Sequence, residues 1–532
     1  MRITNKVIQN NSLNNINTNK LLQDKLSQQM STEKKVNRPS DDPIVAIRAL
    51  RLRTNVNQVT QYYEKNIPDA ESWLQVTESA LSSMSEVVTD MIAHCTKGSN
   101  EDLTTSDRET IITALKALRD EVYSTGNADY AGRYIFTGYR TDTALTFPED
   151  TTQKYVITEQ LHSNKIDSVT YVDTGDVLKV NDSNFLDAGY NNIVEQDISQ
   201  TEVHRIRLSY EKVDIDKNNP NYKIQVWDPT VTKADGEVVG GHADLTQIDV
   251  NGQATAVTYQ SASIYDDPSP YMNVPDNSVI LVEETGEMLL GKNVYDSLMA
   301  LQDDAKTKAD EGEFRIVYEK TNWDEGDLRP EHYFACESEG IFYNQPYLQG
   351  IDDEEKQSIA YDVGLNQSIR VNTTADEVFT HDITRDVDDM IRIMEETVAM
   401  EKQVKKLEEL LEGLELPAEK EVVEKQLAAA QKAFTFLKEK TQLAFESGIS
   451  KMQGHLDVVN YAVTENGTRG QKLDLIANRL MSQKTNFETL KSENEDVDVT
   501  EVAIKLSSAE LTYSSALMAT GKVLQNSLMN FI

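Results

Sequence analysis

The chain has 532 residues, of which 39% are hydrophobic and 27% charged, and its formal net charge is -37 at pH 7. The sequence holds no run of the roughly 18 apolar residues that a membrane span requires, so composition predicts a soluble protein. The strong negative charge argues against nucleic acids and anionic membranes as partners, because phosphate binding requires a positive surface. The two cysteines, Cys95 and Cys336, are too few for a disulfide framework or a cysteine-based metal site.

The first 40 residues form a locally basic segment of this acidic chain. Residues 1–20 contain seven Asn and lack the apolar core of a secretory signal peptide, which leaves open export by a route that reads no such signal. Asn is a weak helix former, so we expect a helical arm that is ordered mainly by docking. Its apolar residues, at roughly helical spacing, are Ile3, Val7, Leu13, Ile16, Leu22, Leu26 and Met30.

A strong helix start follows the arm. Ser40, Asp41 and Asp42 offer an N-cap, and Pro43 suits the first helical position. We expect the helix to kink or break at Pro68, which lacks a backbone N–H. Two further helices with heptad spacing follow before residue 138.

The amino-acid composition of residues 139–375 differs from that of the flanking segments. This stretch holds 8 of the 12 prolines and 13 of the 23 glycines, together with short runs of β-branched and aromatic residues. We therefore predict a mainly β insert made of one or two subdomains. Its predicted strands lie at residues 155–157, 168–172, 222–227, 279–282 and 314–318.

Helices return after residue 375. The dipeptide Leu416-Pro417 predicts the turn of a helical hairpin, whose return arm has the strictest heptad of the chain. Four glycines are expected to interrupt the segment that precedes the last two helices: Gly448, Gly454, Gly467 and Gly470. The fold class is α+β and multidomain, with long terminal helices forming a helical bundle or coiled coil around a mainly β insert.

The last helix, from Val499 onward, carries apolar residues on two faces. Its two stripes lie roughly 200° apart, whereas a surface helix needs only one apolar face. The N-terminal arm can cover one of them, so we expect the other to be buried by something outside the chain. The first stripe is Val499, Ala503, Leu506, Tyr513, Leu517, Leu524, Leu528 and Phe531, and the second is Ile504, Leu511, Met518 and Ile532.

The sequence offers no convincing catalytic, cofactor-binding or metal-binding site. Residues 286–293 resemble a phosphate-binding loop, but Asn293 stands where that loop needs Ser or Thr to hold magnesium. We therefore favour an ordinary turn before a helix and keep a nucleotide-dependent enzyme as a remote alternative. The seven His show no metal-ligand spacing, residues 236–244 are interpreted as a hairpin loop, and the acidic run 352–355 as a solvated surface.

Several stretches near both ends of the chain match the pattern of one protein family. They are residues 1–4, 39–43, 132–139, 293–298, 363–367 and 490–532. The pattern resembles the flagellin superfamily of bacteria and, within it, the hook-associated proteins of the hook–filament junction. The start at Ser40 to Pro43 and the ending Asn530-Phe531-Ile532 fit a junction protein better than flagellin. A long charged hairpin, residues 409–440, departs from the family pattern.

The resemblance implies a structural protein of the bacterial flagellum that is not an enzyme. Such proteins leave the cell through the flagellar type III export apparatus and form a ring between hook-associated protein 1 and the flagellin filament. The implied partners are further copies of the chain, hook-associated protein 1, flagellin and an export chaperone. The resemblance implies three divisions of the chain. Arms at 1–40 and 494–532 would be disordered in the monomer and line the inner tube after assembly. A helical bundle would comprise 41–138 and 376–493, and a surface insert would comprise 139–375. A flagellin with an unusual insert is the main alternative.

Overall fold

A computed structural model describes residues 5–214, 221–228, 241–250, 252–301, 313–349 and 357–529. The chain is 57% helical, with long helices at both ends and a mostly β centre, which confirms the predicted α+β class. The α-helices of the described residues are α1 (Asn5–Thr32), α2 (Pro43–Gln61), α3 (Ile67–Gly98), α4 (Thr105–Gly126), α5 (Lys292–Ala300), α6 (Ala375–Val378), α7 (His381–Gly413), α8 (Pro417–Glu495) and α9 (Val499–Met529).

The β-strands lie between α4 and α6, and all five predicted strand runs are observed. The strands of the described residues are β1 (Asp129–Tyr130), β2 (Arg133–Tyr134), β3 (Tyr155–His162), β4 (Ile166–Asp173), β5 (Ser199–Arg207), β6 (Lys223–Asp228), β7 (Gly241–Asp244), β8 (Gln247–Val250), β9 (Gln253–Ala256), β10 (Thr258–Ala262), β11 (Ser278–Val282), β12 (Glu287–Leu290), β13 (Glu313–Lys320), β14 (Ala335–Ser338), β15 (Ile341–Tyr343), β16 (Ala360–Gly364) and β17 (Gln367–Arg370).

Two sheets account for most of these strands. One has the order β10-β11-β12-β5-β4 and the other the order β15-β14-β3-β13-β6-β7, while β1-β2, β8-β9 and β16-β17 are two-stranded pairs. Apart from the parallel pair β10-β11, the registered neighbours within the two larger sheets are antiparallel. The mainly β character expected of the central region is therefore present.

The chain divides into two compact units. The first comprises Met1–Glu71, Tyr361–Ile369 and Gly470–Ile532, and the second comprises Ser72–Ala360 and Arg370–Arg469. Within the first unit, the Asn66 side chain donates to the carbonyl oxygen of Asp362 over 2.7 Å, and the Tyr361 hydroxyl bonds Asp69. These contacts hold the hairpin segment 361–369 against helical residues far from it in sequence.

Pro68 does not break its helix. Residues Tyr62–Asn66 form a single π-helical turn, and α3 continues from Ile67 on its far side. A π turn inserts one extra residue into the hydrogen-bonding pattern, so it accommodates the missing N–H of Pro68 and the clash of its ring with the preceding turn. The predicted break is therefore a local widening of a continuous helix.

The expected interruption of the last long helices by glycine is wrong. The turn before Pro417 is observed, but α8 then runs for 79 residues through Gly448, Gly454, Gly467 and Gly470. At Gly448 a Cβ would lie 2.3 Å from the sulfur of Met390 on α7, so this glycine permits close helix packing. A glycine costs only about 1 kcal/mol in a helix, which packing along so long an element outweighs.

The charged hairpin formed by α7 and α8 is a platform for the long connection between β4 and β5. Buried apolar residues of that connection, including Val177 and Phe185, pack on Met400 and Leu437 of the hairpin. Polar residues of the hairpin satisfy carbonyl oxygens of the connection. The donors are Gln403 to Val177 and Val180, Gln426 to Phe185 and Tyr190, and Lys432 to Glu195 and Ile198, at 2.7–3.0 Å.

A buried ion-pair network joins α7 to the five-stranded sheet. Asp389 on α7 accepts from Arg205 over 2.6 Å, from Arg207 over 3.0 Å and from Arg392 over 2.8 Å. Glu287 on β12 accepts from Arg205 over 2.8 Å and from Arg392 over 2.6 Å. Burial alone would raise the pKa of Asp389, but the surrounding guanidinium groups outweigh it and hold the pKa well below its usual range.

Replacing Asp389 with Ala should destabilise the protein strongly. The change leaves three guanidinium groups around a missing anion, and breaking a buried pair in this way costs about 3–5 kcal/mol. Glu395→Ala is the control on the same helix, because the Lys116–Glu395 pair is 46% and 47% exposed and should contribute less than about 1 kcal/mol. Chemical denaturation followed by circular dichroism would measure the free energy of unfolding of both variants. Equally small decreases in the two variants would contradict the importance of the network.

Glu159→Gln should change how stability depends on pH. Glu159 is 1% exposed and accepts from the Ser209 N–H over 3.0 Å and from the Tyr318 hydroxyl. Burial raises its pKa to about 7, although these bonds oppose the shift. The folded state therefore binds the proton more tightly than the unfolded state, and wild-type stability falls as pH rises from about 4.5 through 7.

The side chain of the Gln variant does not titrate, so its free energy of unfolding lacks this pH dependence. Relative to the wild type, its free energy of unfolding should therefore increase by about 1–3 kcal/mol between pH 5 and pH 8. The measurement is the difference between the two free energies of unfolding at each pH. A difference that stays constant with pH would show that Glu159 is already ionised in the folded protein.

Candidate assembly interface

The two ends of the chain pair as antiparallel helices. Residues near 34 lie beside residues near 496, while Asn19 and Thr512 line one groove, so α1 and α9 run in opposite directions. Leu26, 7% exposed, packs with Val502 and Ala509, which are 5% and 7% exposed. The seam on α9 alternates steps of four and three, as in a coiled coil: Val502, Leu506, Ala509, Tyr513, Ala516 and Thr520 are buried or half-buried.

The matching seam on α1 is mainly polar. Its buried and half-buried residues also step by three and four: Gln9, Ser12, Ile16, Asn19, Gln23 and Leu26. Polar residues at seam positions specify register but reduce the stability of the pair. The α1–α9 pair therefore has little apolar area holding it together.

Large apolar side chains outside this seam are exposed on both helices. On α9, Ile504 is 66%, Leu511 70% and Met518 65% exposed. On α1, Leu13 is 55% and Leu22 49% exposed. Soluble monomers seldom present so many large apolar residues on neighbouring helices, and such surfaces commonly mark contacts with other proteins.

A shallow groove runs between the two arms. It encloses about 270 Å³ and is lined by Leu22, Leu26, Ala509 and the polar residues Asn19, Lys505, Ser508 and Thr512. The small Ala509 and Ser508 leave this space open beside Leu26. The groove extends the exposed apolar surface of the arms into a concave site.

An arm joint, residues 33–35 with 495–497, holds the roots of the two arms together. The Lys35 N–H donates to the Glu495 carbonyl oxygen over 2.7 Å, and the Val497 N–H donates to that of Glu33 over 3.0 Å. Glu33 has a φ of 57°, a left-handed conformation that ends α1 and turns the chain into the joint. The Glu495 carboxylate, 5% exposed, binds Arg53 through two bonds of 2.7 and 2.6 Å.

The motif Ser40 to Pro43 starts α2 immediately after the joint. The Asp42 carboxylate caps the helix by accepting from the Ile44 and Val45 N–H groups over 3.0 and 3.1 Å, and Pro43 occupies the first turn. The Asp41 carboxylate accepts from the Arg38 N–H over 3.0 Å, while Ser40 lies in the turn before the helix. In this chain the motif therefore forms the turn that follows the arm joint and starts α2.

The predicted interface residues fall into three groups. Leu506, Tyr513 and Ile16 are half-buried on the seam and Leu26 is buried in it. Those left exposed are Val7, Leu13, Leu22, Val499, Ile504, Leu511, Leu517 and Met518. Ile3, Phe531 and Ile532 lie outside the described residues, as do the side chains of Leu524 and Leu528.

Sequence reasoning missed the residues at the centre of the seam. Val502 and Ala509 belong to neither predicted stripe, yet they are the most buried residues of α9 that the structure describes. They were overlooked because the stripes were drawn through the largest side chains, whereas close helix packing favours small ones. The signal was the regular spacing of Val502, Leu506, Ala509 and Tyr513.

The remaining candidate sites of the sequence can be followed where the structure describes them. Residues 287–290 of the phosphate-loop lookalike are strand β12, whose backbone pairs with β11 and β5, so those groups cannot also enclose a phosphate. Within the described parts of the chain, no cluster of His, Cys, Asp and Glu could hold a metal ion. The expected loop 236–244 contains strand β7 in its described part, and the acidic run 352–355 lies outside the described residues.

No helix among the residues that the structure describes combines the length and apolar character needed to cross a membrane. Cys95 and Cys336 are both free and buried.

Comparison with known proteins shows what the N-terminal quarter of the chain resembles. Residues 3–141 match the family model of the bacterial flagellin N-terminal helical region. Over 145 residues the chain is 33% identical to flagellar hook-associated protein 3 of Salmonella typhimurium and, equally, to that of Escherichia coli. Each match covers 27% of this chain and 45% of the relative, so it spans less than half the length of these curated relatives.

Flagellin of Clostridium tyrobutyricum is 29% identical over 122 residues, 23% of this chain and 32% of that protein. Among solved structures, a flagellar hook-associated protein of Vibrio parahaemolyticus gives a TM-score of 0.35 at 14% identity, covering 86% of this chain and 100% of that one. Hook-associated protein 3 of Legionella pneumophila gives 0.30 at 12% identity, covering 83% and 97%. These TM-scores are too low to establish a shared fold.

The resemblance predicted from the sequence is thus confirmed: this chain is similar to flagellar hook-associated protein 3, with a flagellin-type N-terminal helical region.

Glu495→Gln should loosen the arm joint without unfolding either helix. The change removes one charge from the Arg53 pair and should cost about 1.4 kcal/mol, which corresponds to a tenfold faster opening. Hydrogen exchange would report it at the amides of Lys35 and Val497. Glu493→Gln is the matched control, since the Glu493 side chain is exposed; equal exchange in both variants would exclude the proposed role of Glu495.

Proposed function

We propose that this chain is a structural subunit of the bacterial flagellum that acts at the junction of hook and filament and has no catalytic activity. The sequence similarity to hook-associated protein 3 supports the flagellar assignment. The single structural observation that carries an assembly function is the apolar surface left uncovered on both arms. A lone chain gains nothing from that surface, whereas a subunit of a ring or tube buries it.

The energetics favour assembly over pairing within one chain. Burying a large apolar side chain contributes about 1.5–3 kcal/mol. Ile504, Leu511 and Met518 together could therefore supply about 5–9 kcal/mol per copy before the entropic cost of association is subtracted. The polar seam of α1 supplies far less, so the arms should be only marginally ordered before assembly.

The proposed partners are those that the resemblance implies, and the exposed apolar surface is where we expect them to bind. Further copies of the chain complete the ring, with hook-associated protein 1 on one side and flagellin on the other. An export chaperone would cover the exposed face of α9 before assembly, and export would use the flagellar type III apparatus. In this scheme residues 1–40 and 494–532 are the assembling arms, 41–138 and 376–493 the helical bundle, and 139–375 the surface insert.

A flagellin with an unusual insert is the second candidate, favoured by the 29% identity to a clostridial flagellin. Immunogold labelling of intact flagella separates the two. Label confined to the boundary between hook and filament is expected of a junction protein, and label along the whole filament would establish the alternative. Absence of label from the flagellum would refute both.

Leu511→Asp should abolish incorporation into the flagellum while leaving the monomer folded. Leu511 is 70% exposed, so a carboxylate is tolerated in the free chain but would be desolvated at an apolar contact. Leu443→Asp is the matched control, because Leu443 is a similarly exposed leucine (65%) on α8 that belongs to neither arm. Swimming in soft agar and circular dichroism of the purified proteins are the measurements; motile cells carrying Leu511→Asp would contradict the interface.

A further inference from the structure

A second uncovered apolar surface lies on α2, outside the arms. Ile44 is 70%, Ile47 55% and Leu50 61% exposed, and Arg48 and Arg51 are exposed beside them. Residues 44, 47 and 51 are separated by three and four positions, so they stand in a row along one side of the helix. We call these five residues the α2 ridge.

The α2 ridge is basic in a strongly acidic protein. Residues 43–63 contain three Arg and no Asp or Glu, and residues 1–63 contain ten basic and four acidic residues. The chain as a whole carries a net charge of -37, so its remainder is more acidic still. A second copy of the same chain is therefore a partner of the opposite charge.

A shallow, open depression between α3 and α4, which we call the α3–α4 groove, offers short side chains and a carboxylate to such a ridge. Its volume is about 570 Å³, and its lining includes Ala80, Ser83, Ser124 and Glu121. These short side chains let another helix approach closely, as when large side chains at positions i, i+3 and i+7 enter a groove. Glu86 is exposed on α3 one turn beyond Ser83, which extends the acidic flank.

We propose that the α2 ridge of one copy packs into the α3–α4 groove of a second copy. Ile44 and Ile47 fill the space above the short side chains, and Arg48 and Arg51 pair with Glu121 and Glu86. This proposal rests on the proposed function in that both require self-assembly, but it concerns a contact away from the arms. Because ridge and groove are different surfaces, the contact is head-to-tail, and its repetition produces a ring or a helix of subunits.

Cysteine cross-linking tests the contact directly. Both native cysteines are buried, at 0% and 2% exposure, so engineered surface thiols are the reactive ones. Full-length Ile47→Cys and Ser79→Cys proteins, each with a different affinity tag, would be mixed and oxidised. Ser79 also lines the groove. The disulfide-linked heterodimer should form at least about tenfold faster than with Ser106→Cys, because docking raises the effective concentration of the thiols.

Ser106 is a fair control, since it is an exposed serine on α4 about 20 Å along the helix from Glu121. Equal yields with Ser79→Cys and Ser106→Cys would overturn the proposal. That result would leave the junction function intact, because the location of the protein in the flagellum is measured independently.

A charge exchange provides the second test. Arg51→Glu and Glu121→Arg should each reduce the cross-linking rate several-fold when introduced singly into the cysteine variants. When Arg51→Glu is carried by the Ile47→Cys copy and Glu121→Arg by the Ser79→Cys copy, the rate should recover. If the cross-linking rate does not recover in the double exchange, Glu121 is not part of the contact. If the decrease caused by each single exchange is as large at high salt as at low salt, the pairing is not electrostatic.

Discussion

The central constraint on this molecule is that its two ends bring more apolar surface together than they can cover. The α9 side of the α1–α9 seam is mainly apolar, whereas four of the six seam residues named on α1 are Gln, Ser or Asn. Its larger apolar side chains face outward on both helices. Isolated helix pairs gain most of their stability from packing of their apolar faces, so a pair with this seam is intrinsically less stable than one with an apolar seam on both helices.

The central part of the chain is built differently, because its polar and charged groups are paired within the chain. Buried ion pairs between α7 and the five-stranded sheet, glycine-mediated packing of α7 on α8, and the connection wrapped on the helical hairpin each satisfy polar groups internally. The carboxylates of the ion-pair network have pKa values held low by neighbouring guanidinium groups, after burial is overcome. Their contribution is therefore present near neutral pH and is lost in acid.

Much of this architecture follows from local sequence patterns. Runs of β-branched and aromatic residues predicted the strands, and heptad spacing predicted helices. Pro43 predicted a helix start and Pro417 the turn of the helical hairpin, because those signals depend on neighbouring residues alone. The contact of Arg205 with Asp389 joins residues 184 positions apart, and nothing in either local sequence identifies the other. The continuity of α8 through four glycines was likewise decided by tertiary packing rather than by propensity.

The composition of α1 has one more consequence. Apart from Ile16 and Leu26, the inner row of α1 is Gln, Ser, Asn and Gln, and exposing these side chains to water costs little because amides and hydroxyls also form hydrogen bonds with solvent. A helix with leucine at those positions would associate with other exposed apolar surfaces, including those of a second copy of the chain. The polar row therefore gives the inner face of α1 less tendency to associate non-specifically than an apolar row would have.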